Sequence, residues 1–318
     1  MKRSLKKKLG WAAGIVAITA VVADVVASVF LINYALKPER RPLSQDLEKA
    51  YKRNPELRPW VDSLRASGGW HDTTLTMRGT SMHAVIIPAA KKTDKVAVLV
   101  HGYKNAGVAM LSYGHLYWNM GYNLVLPDLY GHGRSGGNSI GMGWKERLDV
   151  LKWMAVADRL FAGPQGHSQM VVHGVSMGAA TTMSLSGEPL PSYVKCLVED
   201  CGYTSVNDEF KHELKDQFGL PAFPLLHTAS LLCKLSYGWS FTEASPIRQV
   251  AKCEKPMLFI HGDNDDFVPS WMVHPLYEAK QGPKELYISK GSKHARSINN
   301  HPAEYAARLK AFVTKYIH

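Results

Sequence analysis

Ser176 stands in Gly174-Val175-Ser176-Met177-Gly178, a serine with a glycine two residues to either side. The apolar run Met170-Val171-Val172 precedes it, and the small helix formers Ala179 and Ala180 follow. A strand–turn–helix of this kind is a nucleophile elbow, whose glycines allow a turn that sets the hydroxyl at a helix N-terminus. A serine that merely caps a helix is the plain alternative, and the strand before it argues against that. The hydroxyl stays a weak nucleophile until a base takes its proton. Of 14 histidines, His294 in Gly291-Ser292-Lys293-His294-Ala295-Arg296-Ser297 best fits that role. It follows the last strand-like run and precedes the last helical one, at the sheet end where Ser176 lies. His301 is the nearest rival, but beside Pro302 it reads as a helix cap. His101, His132 and His173 are embedded in turns and read as structural.

An acid must orient that imidazole and stabilise its charged form. Gly262-Asp263-Asn264-Asp265-Asp266-Phe267-Val268-Pro269 follows a buried run, and its spacing selects Asp265. Asp263 and Asp266 read as turn residues that bond the local backbone. Asp200, at the end of Val198-Glu199-Asp200, is a second candidate for the acid. Attack would create an oxyanion that needs preorganised donors. The Met177 amide, next after the nucleophile, is one. The Tyr103 amide, in His101-Gly102-Tyr103-Lys104-Asn105-Ala106-Gly107, is the other, and the Tyr103 ring is free to line the pocket or simply to pack.

These residues need a scaffold that gathers them. Short apolar runs predict strands at Lys95–Val100, Asn123–Leu126, Gln169–His173, Val194–Glu199, Met257–His261 and Glu285–Ile288. Helical stretches intervene, such as Trp144–Phe161 and the terminal Pro302–Tyr316, which argues for a mostly parallel sheet with crossover helices. The alternation breaks at about 205–245, where helical and Pro-rich sequence carries Phe210, Phe218, Phe223, Leu231 and Trp239. Loops at this end of a sheet carry the ligand site, so this insertion is expected to form a lid. A packed helical appendage without substrate contact is the alternative.

The chain opens with a basic tail, residues 1–8, and an apolar stretch, residues 9–36, whose one charge is Asp24. A bilayer core takes ~20 apolar helical residues, so this stretch is long enough to span with tilt. Five of the eight Lys/Arg in residues 1–41 precede it and three follow. That excess predicts an inside N-terminus and an extracytoplasmic domain, a single-pass protein of the cell membrane. Asp24 at mid-span is a tolerated acid, or else marks a helix–helix contact or a proton-linked role. Val21-Val22-Ala23 would also pass as a signal-peptide cleavage site. Against cleavage, Val25 to Ile32 stay apolar. Residues 37–69 read as a docking stalk, and 70–318 as the main domain.

Of the net charge of +11, residues 1–41 carry +6, which leaves +5 for the rest of the chain. With no Lys/Arg cluster interleaved with aromatics there, nucleic-acid binding is not expected. Cys196, Cys201, Cys233 and Cys253 lack metal-ligand spacing, and Cys196 and Cys201 on one strand stand too far apart to bridge. They read as buried small apolar residues, silent on redox compartment.

Together these residues resemble the α/β-hydrolase superfamily over roughly 70–318. His101-Gly102, Pro127-Asp128-Leu129-Tyr130-Gly131-His132-Gly133-Arg134-Ser135, the serine elbow, the Asp265 loop and His294 fall in family order. Gly141-Met142-Gly143-Trp144 and Glu199-Asp200-Cys201-Gly202-Tyr203-Thr204-Ser205 resemble bacterial membrane-anchored α/β hydrolases, variously esterase, acyl-thioesterase or serine-peptidase-like. The resemblance implies the α/β-hydrolase fold and a hydrolase without metal or organic cofactor. The expected function is cleavage of carboxylic esters of a small-molecule acyl substrate through an acyl-enzyme on Ser176. Thioester or peptide hydrolysis on the same residues is the alternative, and a non-catalytic anchored scaffold is the rival of another class. Oligomeric state is not written in the sequence.

Overall fold

Each predicted strand is present, Lys95–Val100 with the same bounds and the other five longer by a residue or two, in a single eight-stranded sheet of the computed structural model, which describes residues 2–318. In chain order the strands are β1 (His71–Met77), β2 (Thr80–Ile87), β3 (Lys95–Val100), β4 (Asn123–Pro127), β5 (Gln169–Val175), β6 (Val194–Asp200), β7 (Met257–Gly262) and β8 (Lys284–Ser289). Their spatial order is β1-β2-β4-β3-β5-β6-β7-β8, with β2 antiparallel to both its neighbours, β1 and β4, and every other neighbouring pair parallel. The β1–β2 hairpin was not predicted. Its first strand, His-Asp-Thr-Thr-Leu-Thr-Met, is mostly polar and half exposed, as an edge strand can be. Its turn, Arg78-Gly79, has both residues at positive φ, the conformation usually signalled by Asn-Gly.

The helices are α1 (Lys2–Leu36), α2 (Leu43–Arg53), α3 (Leu57–Ala66), α4 (Leu111–Asn119), α5 (Glu146–Leu160), α6 (Met177–Leu185), α7 (Val206–Phe218), α8 (Leu225–Tyr237), α9 (Pro246–Val250), α10 (Val273–Ala279), α11 (Ser297–Asn300) and α12 (Pro302–Val313). Along β3 the side chains alternate, and both faces are buried, the pattern of a covered parallel sheet. Val96, Val98 and Val100 lie in one core layer with Trp153 and Met154 of α5 and with buried residues of α6 and α10. Ala97 and Leu99 join the opposite layer, with Tyr117 of α4 and Leu309 and Phe312 of α12. Residues 37–69 contribute core: Tyr51, Leu57, Val61 and Leu64 of α2 and α3 are buried in that second layer.

Within α1, Gly10–Leu36 is long and apolar enough to cross a membrane, a test that a signal sequence also passes. Residues 10–23 are exposed all round. From Asp24 onward one side of the helix meets the domain. Thr228 Oγ1 of α8 donates to the Asp24 carboxylate at 2.5 Å, and the Ser28 hydroxyl donates to Leu225 O at 3.1 Å. Asp24 is thus a helix–helix contact. Ile32 and Leu36 are buried in the first layer of the core.

Candidate active site

The switch in strand order at β3 brings the ends of β3 and β5 side by side, where loops converge on a crevice. Ser176, between β5 and α6, holds φ +59° and ψ −122°, a strained backbone that projects its side chain. The flanking glycines make the turn possible. A side chain at Gly174 would collide with the backbone of Gly178, and one at Gly178 with the Val100 and His101 carbonyls. Only glycines let α6 start this close to β3.

His294 joins two of the expected partners. Its Nε2 lies 2.8 Å from Ser176 Oγ, and its Nδ1 lies 2.8 Å from Asp265 Oδ2. A resting tautomer with the proton on Nδ1 donates to the carboxylate and accepts from the hydroxyl. Asp265 Oδ1 accepts from the Phe267 and Val268 amides at 3.1 and 3.0 Å, which fixes the carboxylate plane. Burial works to raise the Asp265 pKa, but hydrogen bonds from His261 and His294 outweigh it and hold it at about 2. His261 is a partner the sequence reading missed. Its Nε2–H donates to Val268 O at 2.9 Å and lies 3.5 Å from Asp265 Oδ2.

The rivals are placed elsewhere. The Asp200 carboxylate accepts from the Tyr305 hydroxyl at 2.9 Å, and burial pushes it up to about 6. His301 donates to Lys290 O at the start of α12. His101 donates through Nδ1 to Gly102 O and accepts from the Leu129 amide, and His132 donates to Tyr130 O. His173 is buried between Tyr117 and Tyr305, and desolvation drives it down to about 3. Asp263 accepts from the Gly291 amide, a backbone role as expected of it.

The Met177 amide opens α6, and Tyr103 lies in the loop after β3. Neither amide has an acceptor among the described residues. The Tyr103 ring lines the cavity, and its hydroxyl donates to Ala35 O at 2.6 Å. Behind this loop the buried Asp128 accepts from the Gly107 and Arg134 amides at 2.6 and 2.9 Å and from His83 Nδ1 at 2.8 Å. The Pro127–Ser135 motif is therefore a knot that steadies the loop.

A cavity of about 330 Å³ reaches Ser176, at the small end for a ligand site. The predicted insertion roofs it with Phe210, Leu214 and Phe218 of α7 and Leu226 of α8. Met142 and Tyr203 also line it, and the Tyr203 hydroxyl donates to Met142 O at 2.8 Å. The contribution that sequence reading missed comes from α1: Leu31, Ile32, Tyr34 and Ala35 form one wall. Two acids, Glu209 and Glu213, also line the cavity, and burial raises both. Cys201, Asp265 and His294 bring donor atoms within 4.8 Å of one another, enough to consider a metal. Burial pushes the Cys201 thiol well up, which leaves it a poor ligand. All four cysteines are free and buried.

Residues 110–318 match the prolyl oligopeptidase family, peptidase family S9. The chain belongs to that family. As a member it is a serine hydrolase with an α/β-hydrolase fold. The Bacillus subtilis protein YqkD, described as uncharacterized, is 27% identical over 312 residues, covering 94% of this chain and 96% of YqkD. The Pyrococcus furiosus esterase Pf2001 superposes with a TM-score of 0.61 at 23% identity, over 78% of this chain and 92% of that one. The Butyrivibrio proteoclasticus protein Est1E with ferulic acid bound gives 0.59 at 16%, over 77% and 98%. Pyrococcus horikoshii acylaminoacyl peptidase gives 0.56 at 17%, over 77% of this chain and 40% of the peptidase. At such identities the superpositions speak to fold, and family membership carries the chemistry.

Proposed function

We propose that the protein is a membrane-anchored serine esterase, cleaving carboxylic esters through an acyl-enzyme on Ser176. The observation that carries this is the pair of 2.8 Å hydrogen bonds that His294 makes to Ser176 and Asp265. Ser176 Oγ attacks the ester carbonyl carbon while its proton passes to His294 Nε2. Asp265 holds the imidazolium through Nδ1–H, and its low pKa keeps it ionised as it does so. The Met177 and Tyr103 amides hold the oxyanion. Collapse breaks the bond to the alkoxide, which takes the proton from His294. Water then repeats the sequence on the acyl-enzyme and frees the acid. In this reading residues 9–36 are the anchor, the domain is extracytoplasmic, and α7 with α8 form the lid over the 70–318 domain.

Peptide or amide hydrolysis is the second reading, and Glu209 and Glu213 favour it, since carboxylates in the cavity suit a substrate ammonium group. Glu209 is 3% exposed, and burial raises its pKa, which disfavours the charged form that an ammonium group would need. That penalty and the largely apolar lining of the cavity place esters first.

A fluorophosphonate probe applied to the full chain tests the activated serine. Labelling is expected for wild type and absent in Ser176→Ala and His294→Ala. Folded wild-type protein that stays unlabelled would favour the scaffold reading. Comparison of p-nitrophenyl butyrate with alanine p-nitroanilide then ranks ester against aminoacyl substrates; faster anilide turnover would reverse the order proposed.

A further inference from the structure

We infer that the substrate is a long-chain acyl ester resident in the bilayer, which reaches Ser176 sideways along the C-terminal half of α1. The inference rests on the esterase reading of Ser176 and on α1 as a membrane helix.

The length of α1 sets the depth of the domain. Among the described residues of the apolar stretch, Gly10–Ala23 stand free of protein. Those residues rise about 21 Å, roughly 9 Å short of a bilayer's hydrocarbon core. To complete the span, the next turns must enter the lipid as well, with whatever is packed against them. Their outward side is suited to it: Val25, Val26, Val29 and Phe30 are exposed although the opposite side of the helix is docked.

The lid accompanies them. Asp24 meets Thr228 and Ser28 meets Leu225, so α8 runs antiparallel to α1. Its later turns therefore carry Leu231 and Leu235 toward the free half of α1, and they are 61% and 75% exposed. Phe223, just before α8, is also exposed. Such residues placed singly would be ordinary surface. Aligned with an exposed apolar helix, they extend one continuous lipid-facing surface.

The cavity begins where the immersed turns of α1 end. Leu31, Ile32, Tyr34 and Ala35, its α1 wall, follow the immersed turns directly. Tyr34 stacks beside Phe30, meets Phe218 of α7 edge-on at 5.6 Å, and donates through its hydroxyl to Gln217. Tyr34 and Phe218 are both partly exposed and both line the cavity, which places a mouth between α1 and α7. An acyl chain leaving the bilayer there exchanges lipid for the apolar side chains of α1, α7 and α8 and crosses little water.

The test uses the full chain in phosphatidylcholine vesicles that contain monooleoylglycerol, with p-nitrophenyl butyrate as a water-soluble ester. The monooleoylglycerol rate is expected to follow its mole fraction in the vesicle and to survive dilution of the suspension, whereas butyrate turnover follows bulk concentration. A nitrobenzoxadiazole dye on Leu235→Cys is expected to lose emission to spin-labelled lipid, and the same dye on Lys92→Cys, at the opposite end of the sheet, to keep it. Butyrate turnover together with a monooleoylglycerol rate set by the aqueous monomer would overturn the inference and leave the esterase reading intact. So would equal emission from the two labelled positions, or a mature chain whose mass begins at Asp24. Loss of both ester activities in folded protein would remove the underlying reading along with it.

Discussion

The Tyr103 hydroxyl donates to the Ala35 carbonyl at 2.6 Å, which fastens the loop after β3 to the last turn of the apolar helix. Arg41 bonds Lys104 O on the same loop, a second tie between the N-terminal segment and the proposed oxyanion site. In Tyr103→Phe the ring stays and the tie is lost. Stability is expected to fall by about 1 kcal/mol, the ordinary net worth of one hydrogen bond. The kcat for p-nitrophenyl butyrate should fall by more than KM changes if the loop carries the proposed oxyanion donor, which acts chiefly in the transition state. Unchanged kcat with a lowered melting temperature would show that the tie only holds α1 in place.

Asp265→Asn keeps the shape of the site and removes the charge that orients His294. By analogy with other Ser-His-Asp enzymes, kcat is expected to drop by about 10⁴-fold. Asp200→Asn alters a carboxylate bound to Tyr305 and should leave far more activity. Comparable losses in the two variants, with both folded, would move the acid role away from Asp265.

Burial drives Glu199 up to about 8 and Asp200 up to about 6. Each keeps its proton in the folded chain at pH values where the unfolded chain, with ordinary carboxyls near ~4, has released it. Between about pH 4 and 8 the folded state thus binds more protons, so stability falls as pH rises. Glu199→Gln removes the upper part of that slope. Thermal melts across the range are expected to decline less steeply in the variant than in wild type, and equal slopes would refute the assignment.

A chain shortened to begin at residue 42 loses Ile32 and Leu36 from the core and one wall of the cavity. Each buried aliphatic side chain contributes about 1.5–3 kcal/mol, so a clear drop in melting temperature is expected. The preference for long over short p-nitrophenyl esters should fall at the same time. A shortened chain with unaltered stability and chain-length profile would show the wall to be dispensable.

Most of the parallel strands were legible because doubly buried strands read as near-continuous apolar runs, and Ser176 and Asp265 because each follows one of them, while His294 follows the half-exposed edge strand β8. The β1–β2 hairpin was hidden by a polar edge strand and an Arg-Gly turn. His261 was read only as part of a strand, since nothing local marks an imidazole that will face a carboxylate four residues on. The α1 wall was the larger omission. An apolar run long enough to span a bilayer satisfies that reading completely, and nothing in its composition distinguishes side chains facing lipid from side chains facing protein. Asp24 and Ser28 were the available signal: the two polar residues are one helical turn apart, on the side that meets α8.

Asp24 and Thr228, which close α1 onto α8, are separated by 204 positions. At translation rates of about 5–20 residues per second, Thr228 is made some 10–40 s after Asp24. Until then the helix has no α8 to meet, and the roof of the cavity does not exist. Ser176 is synthesised within that interval, on a chain still lacking Asp265 and His294. The order of synthesis therefore puts Ser176 into the chain before its proposed partners, so a nascent chain carries no complete site.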